Sequence, residues 1–293
     1  MGSRSSERVA AHYELERKLA DRLRAASADD RARVYGEVYD ELFRCVEDHP
    51  QLSIGAPQRD REALAESRFV SRFLDKDSCL MEIGAGDCAF SIRAAPLVHK
   101  VIAVDVSQII TSATRDIANL EVVISDGTSL PVEPSSVDVA YSDQLMEHLH
   151  PDDALAQLAN VVRALKPGGV YICITPNRVT GPHDISRTFD DVATGFHLRE
   201  YTAPDIRAIF LKSGFGEIRF YAGGRGRYVR MPNSVALSAE AAFERLPRNV
   251  RCRTRDWTLA HVIFGLNIVA TKALTGRQRT RRRFQLTTEG GRS

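Results

Sequence analysis

A chain of 293 residues, 43% of them hydrophobic, can bury a substantial core and fits one globular domain with additions or at most two domains, so disorder is not the default. The formal net charge of +2 marks neither a nucleic-acid binder nor an acidic-surface specialist. Five cysteines (Cys45, Cys79, Cys88, Cys173, Cys252) show no paired C-x-x-C spacing, which argues against a zinc site or a disulfide framework and suits reduced thiols in a cytoplasmic protein. The first residues lack the apolar core of a secretory signal, and no stretch reaches the roughly 20 apolar residues needed to span a bilayer.

Residues 7–48 are rich in Ala, Leu, Glu and Arg, with Leu15, Leu19 and Leu23, then Val34, Val38, Leu42 and Val46, at helical spacing. This predicts two amphipathic helices split near Ser27 to Asp30, where serine and aspartate make good caps. Pro50, Gly55 and Pro57 mark a linker into a further helix over roughly 59–73. From Ser78 short apolar runs (CLMEI, VIAVDV, EVVIS, VDVAYS, VYICIT) alternate with helical patterns, the signature of βαβ units and a parallel sheet buried on both faces. A helix over 202–213 is announced by Thr202 as cap and Pro204 in its first turn, and ends at Gly214. EIRFYAG and the late GLNIVATK read as strands separated by a long Arg-rich stretch, about 223–261. The expected organisation is a helical extension over 1–74, a doubly wound α/β core over 75–222, and an Arg-rich insertion with a final core strand (about 265–272) and a basic tail over 223–293.

The first core strand runs into Glu82-Ile83-Gly84-Ala85-Gly86-Asp87 before the chain re-enters a helix. A glycine-rich strand-to-helix turn lets a ligand approach the backbone, and the helix start offers free N–H groups. Such a turn also arises wherever strand and helix pack tightly. The next strand ends in Asp105 and Val106, about 20 residues after the glycines, where a carboxylate can accept from both ribose hydroxyls. Together the two features point to an adenosine-containing cofactor, and a nicotinamide dinucleotide would use the same geometry.

EIGAGDCAFS resembles the first motif of class I S-adenosylmethionine-dependent methyltransferases, with Cys88 in place of the last glycine. The resemblance continues through VDVS (104–107), SDGTSLPVEPSSVDVAYS (125–142), QLMEHLHPDD, LKPGGVYICITPN and GFHLREYTAPDIRAIFLKSGF, covering roughly residues 75–222. It implies a Rossmann-like, doubly wound, seven-stranded sheet, mostly parallel with the last strand antiparallel, and S-adenosylmethionine as cofactor, with S-adenosylhomocysteine as product. Carried over, Glu82, Gly84, Ala85, Gly86 and Asp87 would shape the methionine and ribose pocket, Asp105 and Val106 the ribose site, Asp126 and Gly127 the adenine site, and Asp143 and Gln144 the methionine end. Asp126 and Asp143 also suit turn or cap positions.

If the acceptor is a hydroxyl, a general base helps, and histidine has the right pKa range. His148 and His150 follow the fourth strand, where ligands gather in open α/β sheets, and His197 lies in a polar segment after the fifth strand that reads as a mobile acceptor-side lid. For His148 a structural helix-start role stands beside the catalytic one. The Glu147-His148 pair is similar to that of ubiquinone-pathway O-methyltransferases, where an upstream glutamate can join a divalent cation; Gln144 stands at that place here, so no metal is expected. The leading expectation is O-methylation of a hydroxyl or carboxyl on a lipid, quinone, sugar or secondary metabolite. The position reading SDQL lacks the N-P-P-Y type tetrapeptide of amino-methylating nucleic-acid and protein-glutamine enzymes, which leaves RNA methylation second within the enzyme class. A third reading is a non-catalytic cofactor-binding scaffold docked through Arg277, Arg279 and Arg281 to Arg283, and peripheral membrane contact through the same region stays open.

Overall fold

The computed structural model describes residues 4–53, 56–111, 117–247, 250–251, 253 and 257–274. Two long helices open the chain: α1 (Ser6–Ala25) and α2 (Ala28–Cys45). The Ser27 hydroxyl accepts from Asp30 N–H and so starts α2 at the expected break. Leu19, Leu23, Val34, Val38 and Leu42 are buried in one cluster with Met81, Ile83 and Ile102, so the apolar stripes of both helices lie on one face of the sheet. A short α3 (Pro50–Ser53) leads to α4 (Ala56–Val70), whose Phe69 and Val70 pack on the opposite face with Leu80, Val101 and Tyr141.

The sheet contains β1 (Cys79–Ile83), β2 (Lys100–Asp105), β3 (Leu120–Ile124), β4 (Val137–Asp143), β5 (Leu165–Thr175), β6 (Phe215–Gly224), β7 (Arg227–Met231) and β8 (Leu266–Lys272), in the order β3-β2-β1-β4-β5-β8-β6-β7. Strands β1 to β5 are parallel neighbours, while β8 runs antiparallel between β5 and β6. The helices α5 (Ala89–Ala94), α6 (Gln108–Thr111), α7 (Pro151–Ala164), α8 (Ala203–Ser213), α9 (Asn233–Glu244) and α10 (Thr258–Phe264) complete the described elements. Strand order reverses between β1 and β4, and in such sheets the crevice beyond the carboxyl ends of those strands is the ligand site.

Two expectations are corrected. Among the described residues the sheet has eight strands, not seven, because the Arg-rich stretch contributes β7, paired antiparallel to β6. Its turn uses positive φ at Gly223, Arg225 and Gly226, and the Tyr228 ring packs 4.2 Å from that of Phe69. The segment between β5 and α8 is pinned rather than free: Asp184 accepts from Gly195 N–H (2.9 Å), Glu200 accepts from His183 N–H (2.6 Å), and Tyr13 of α1 stacks on Phe189 at 4.2 Å. Helix α8 has the anticipated ends, with a Thr202/Asp205 capping box and Gly214 at φ 106°. Among the described residues no helix is long and apolar enough to cross a membrane. Cys252 and the arginine run 277–283 lie outside the described residues.

Candidate active site

At the carboxyl ends of β1, β2 and β4 lies a cleft whose empty space, its open mouth included, is about 1030 Å³. Its floor is the turn after β1. Gly84 and Ala85 donate their N–H groups to Val104 O (2.8 and 3.1 Å), which ties the turn to β2. Gly84 and Gly86 have φ of +74° and +52°, and a Cβ on Gly84 would stand 3.1 Å from Leu145 Cδ1. Cys88, at the motif's last glycine position, itself takes the left-handed conformation, φ 59°, and caps α5. The backbone geometry that glycine normally supplies is thus kept by a small side chain.

Asp105 closes β2. Its two oxygens accept from Gly86 N–H (2.8 Å) and Ser107 N–H (2.9 Å), so it braces the glycine turn while facing the cleft. Burial raises its pKa above the ordinary value against the pull of those N–H groups. Val106, Ser107, Ile110, Ser125 and Gly127 line the same end of the cleft. Gly127 has φ +91°, and a Cβ there would meet Tyr35 Cδ2 at 2.9 Å. Asp143, Gln144 and Leu145 line the other end of the turn.

The donor set fits a cationic adenosyl cofactor. The glycines leave the floor bare, Asp105 offers a fixed acceptor, and Asp143 lines the methionine end with the Glu66 carboxyl near it. Burial pushes Asp143 up to about 6, and burial with the nearby Asp143 pushes Glu66 up to about 8. The guanidinium of Arg59 is committed to Asp87 (2.6 and 2.8 Å). A ligand bearing a sulfonium and an ammonium supplies the positive charge these carboxylates lack.

One consequence is testable in the ligand-free protein. Asp143 titrates near 6 when folded and near the ordinary 3.9 when unfolded, so between about pH 4 and pH 6 the folded state holds a proton that the unfolded chain has released. Stability therefore falls as pH rises through that window, and the full cost is present above it. Asp143→Asn should stabilise the ligand-free protein by about 2 kcal/mol at about pH 7.5 and by nothing at about pH 4, read by thermal melting at both values.

The remaining residues predicted from sequence are placed differently. Glu82 lies beneath the turn, accepting from Ser91 Oγ, with burial holding its carboxyl well above the usual range. Ala85 and Asp87 belong to the turn but are not on the cleft wall. Asp126 points into its own turn, its Oδ1 accepting from Thr128 N–H (2.8 Å) and Ser129 N–H (2.6 Å), the turn role that its sequence also suited.

Of the three histidines, His148 reaches the cleft. Its Nδ1 donates to Phe196 O (3.1 Å), which leaves Nε2 as the bare nitrogen, and burial lowers its pKa to about 3. His197 is buried behind it, ring centroids 4.9 Å apart, with Nδ1 donating to Glu200 (2.8 Å). Burial opposes its charge, but the Glu200 carboxylate raises its pKa. His150 caps α7, its Nδ1 accepting from Asp152 N–H (3.3 Å), and is not on the cleft wall.

The cleft also has walls that motif reasoning missed: Glu16 of α1, Tyr35, Tyr39, Leu42 and Phe43 of α2, and His49 beyond it. The helical spacing picks out Leu42 as an apolar position and none of the others. Tyr35 is the hinge of that wall. Its hydroxyl donates to Asp153 (2.9 Å) and accepts from His150 N–H (2.8 Å), while Arg31 grips the same carboxylate twice (2.6 and 2.8 Å).

Residues 80–169 match the family described as Methyltransferase domain. A probable S-adenosylmethionine-dependent methyltransferase of Mycobacterium tuberculosis is 28% identical over 170 residues, 58% of this chain and 59% of that protein. A Mycolicibacterium smegmatis relative described in the same terms is 28% identical over 156 residues, 53% of this chain and 58% of its own length. The chain spans about three-fifths of the length of the curated relatives it matches. Among solved structures, a Haemonchus contortus phosphoethanolamine N-methyltransferase in complex with phosphomonomethylethanolamine and S-adenosylhomocysteine has a TM-score of 0.51 at 18% identity, covering 79% of this chain and 60% of that one. The 4+2 cyclase SpnF has a TM-score of 0.53 at 20% identity, covering 83% and 97%. The α/β core of this chain is thus similar to class I S-adenosylmethionine-dependent methyltransferases, whose cofactor is S-adenosylmethionine.

Proposed function

We propose that the whole protein transfers a methyl group from S-adenosylmethionine to a hydroxyl or carboxyl oxygen of a small molecule. The observation that carries the reading is the single cleft in which the glycine turn, Asp105 and Asp143 adjoin an aromatic chamber walled by Tyr39, Phe43 and Phe196. The bound cofactor supplies an activated methyl electrophile, so the protein's task is to bind, orient and exclude water. Asp105 would hold the ribose and Asp143 the ammonium. His148, neutral and with Nε2 unprotonated, would accept the hydroxyl's hydrogen bond and take its proton as the oxygen–methyl bond forms, when that oxygen is far more acidic than the imidazolium even at its lowered pKa of about 3. The helical extension closes the chamber over a small acceptor, which disfavours RNA. Among the described residues Cys45, Cys79, Cys88 and Cys173 form no disulfide, which suits a cytoplasmic setting.

The test is incubation with methyl-labelled cofactor and a panel of hydroxylated, carboxylated and amine-bearing small molecules, with RNA as a separate arm. Label in an oxygen ether or ester supports the proposal. Label only in RNA or only on nitrogen overturns it. Turnover should also fall at least about tenfold in His148→Ala if that ring moves the proton.

A further inference from the structure

The end of the cleft remote from the glycine turn holds a second polar group, and no motif points to it. Glu16 and His49 line this end, and His12 stands one turn before Glu16 on α1. The ligand atoms of all three lie within 4.8 Å of one another, although 37 residues separate His12 from His49 (49 − 12). His12 and Glu16 are 5% and 6% exposed. Glu16 Oε1 accepts from Phe196 N–H (2.9 Å), which fixes the carboxylate. Its Oε2 stands 3.1 Å from His12 Nε2, yet the two are not aligned as a hydrogen bond, and the buried Nε2 has no partner. Of the three, Glu16 and His49 face the cleft, while His12 Nε2 is sealed behind the carboxylate.

Hydrogen-bond polarity decides between a metal ion and an organic group. A histidine that binds metal normally donates its other ring N–H to a carboxylate or carbonyl. Here Arg4 Nη1 lies 2.9 Å from His12 Nδ1, and a guanidinium can only donate. Nδ1 must therefore offer its lone pair, and Nε2 carries the hydrogen. His49 is similar: its Nδ1 accepts from Gln51 N–H (3.3 Å), and burial lowers its pKa to about 4, so it is a neutral ring with its hydrogen on Nε2. Two N–H donors and one carboxylate acceptor form no metal site. They match a group that both donates and accepts, which is a hydroxyl.

The surroundings specify what bears the hydroxyl. Tyr39 stacks on Phe196 with centroids 4.7 Å apart and planes at 22°, and the Phe43 ring meets that of His49 edge-on at 5.3 Å. Flat rings with one polar edge suit a flat ligand with one polar substituent.

We propose that Glu16 and His49 form a subsite for the hydroxyl of a small aromatic ligand, the hydroxyl donating to Glu16 and accepting from His49 Nε2–H, with Tyr39, Phe43 and Phe196 around the ring and His12 buried behind the carboxylate. The subsite deepens the methyl-acceptor reading and rests on it for the ligand's role, but binding can be measured without turnover.

The probes are phenol and toluene, near-identical in shape and differing in the hydroxyl. Both are titrated by ligand-observed NMR into the full chain saturated with S-adenosylhomocysteine. The wild type should bind phenol about tenfold or more tightly than toluene, as expected for a hydrogen bond to a charged acceptor. Glu16→Gln and His49→Phe should each cut that preference to about threefold or less while toluene binding and S-adenosylhomocysteine binding persist, which shows that the variants are folded. Equal affinities in the wild type, no phenol binding, or an unchanged preference in both variants overturns the subsite. Failure of the cofactor reading is separate: it appears as absent S-adenosylhomocysteine binding in the wild type, whatever phenol does.

Discussion

Asp105→Ala is expected to weaken S-adenosylhomocysteine binding by about 100-fold or more. A carboxylate accepting from two ribose hydroxyls contributes roughly 1.5–3 kcal/mol for each hydrogen bond to a charged group, and the lower end for both already exceeds a hundredfold. The substitution also releases Gly86 N–H and Ser107 N–H, so the turn that the cofactor lies against loses its brace. Asp105→Asn keeps one acceptor and the shape, and should fall between wild type and alanine. Calorimetry on all three proteins checks the order. Unchanged affinity in the alanine variant would remove the ribose from this end of the cleft.

Asp153→Ala is expected to destabilise the fold by about 3–5 kcal/mol and to lower the melting temperature by roughly 10 °C. Asp153 receives both arms of Arg31 and the hydroxyl of Tyr35, and Arg31 is 4% exposed. Removing the carboxylate leaves a buried guanidinium without its counter-charge, which costs far more than the pair contributes when intact. The double variant Arg31→Met with Asp153→Leu should regain most of the loss, because neither charge then needs compensation. Urea denaturation of the single and double variants measures both. The same change reaches function: Tyr35 packs over Gly127 and lines the cleft, so Asp153→Ala should weaken cofactor binding more than its distance from the glycine turn suggests.

The sequence made the core and the cofactor end legible because both are local. The runs CLMEI and VIAVDV are strands through their own apolar continuity, and Asp105 follows the glycine turn at a fixed interval set by one βα unit. Thr202, Pro204 and Gly214 marked both ends of α8 through local capping and backbone chemistry. Strand β7 was hidden because RYVRM carries two arginines on an edge strand, where charge blunts further pairing. The G-R-G turn before it was nevertheless a hairpin signal.

The acceptor end was not legible for a different reason. Glu16 meets Phe196 across 180 residues of chain, and no period or motif links them. Asp126 and His150 show the converse error: each stands where the motif pattern places a functional group, and local hydrogen bonds hold each as a turn or cap residue. Position along the chain identified the neighbourhood, but the direction of each side chain depended on partners that only the fold brings together.

The measurement that bears most directly on this account is calorimetric titration of the purified full chain with S-adenosylhomocysteine, run beside NAD. Saturable binding of S-adenosylhomocysteine with no heat from NAD is the predicted result, and it would be abolished or greatly weakened in Asp105→Ala. Binding of NAD instead, or of neither ligand by a protein shown to be folded, would contradict the assignment of the cleft to S-adenosylmethionine.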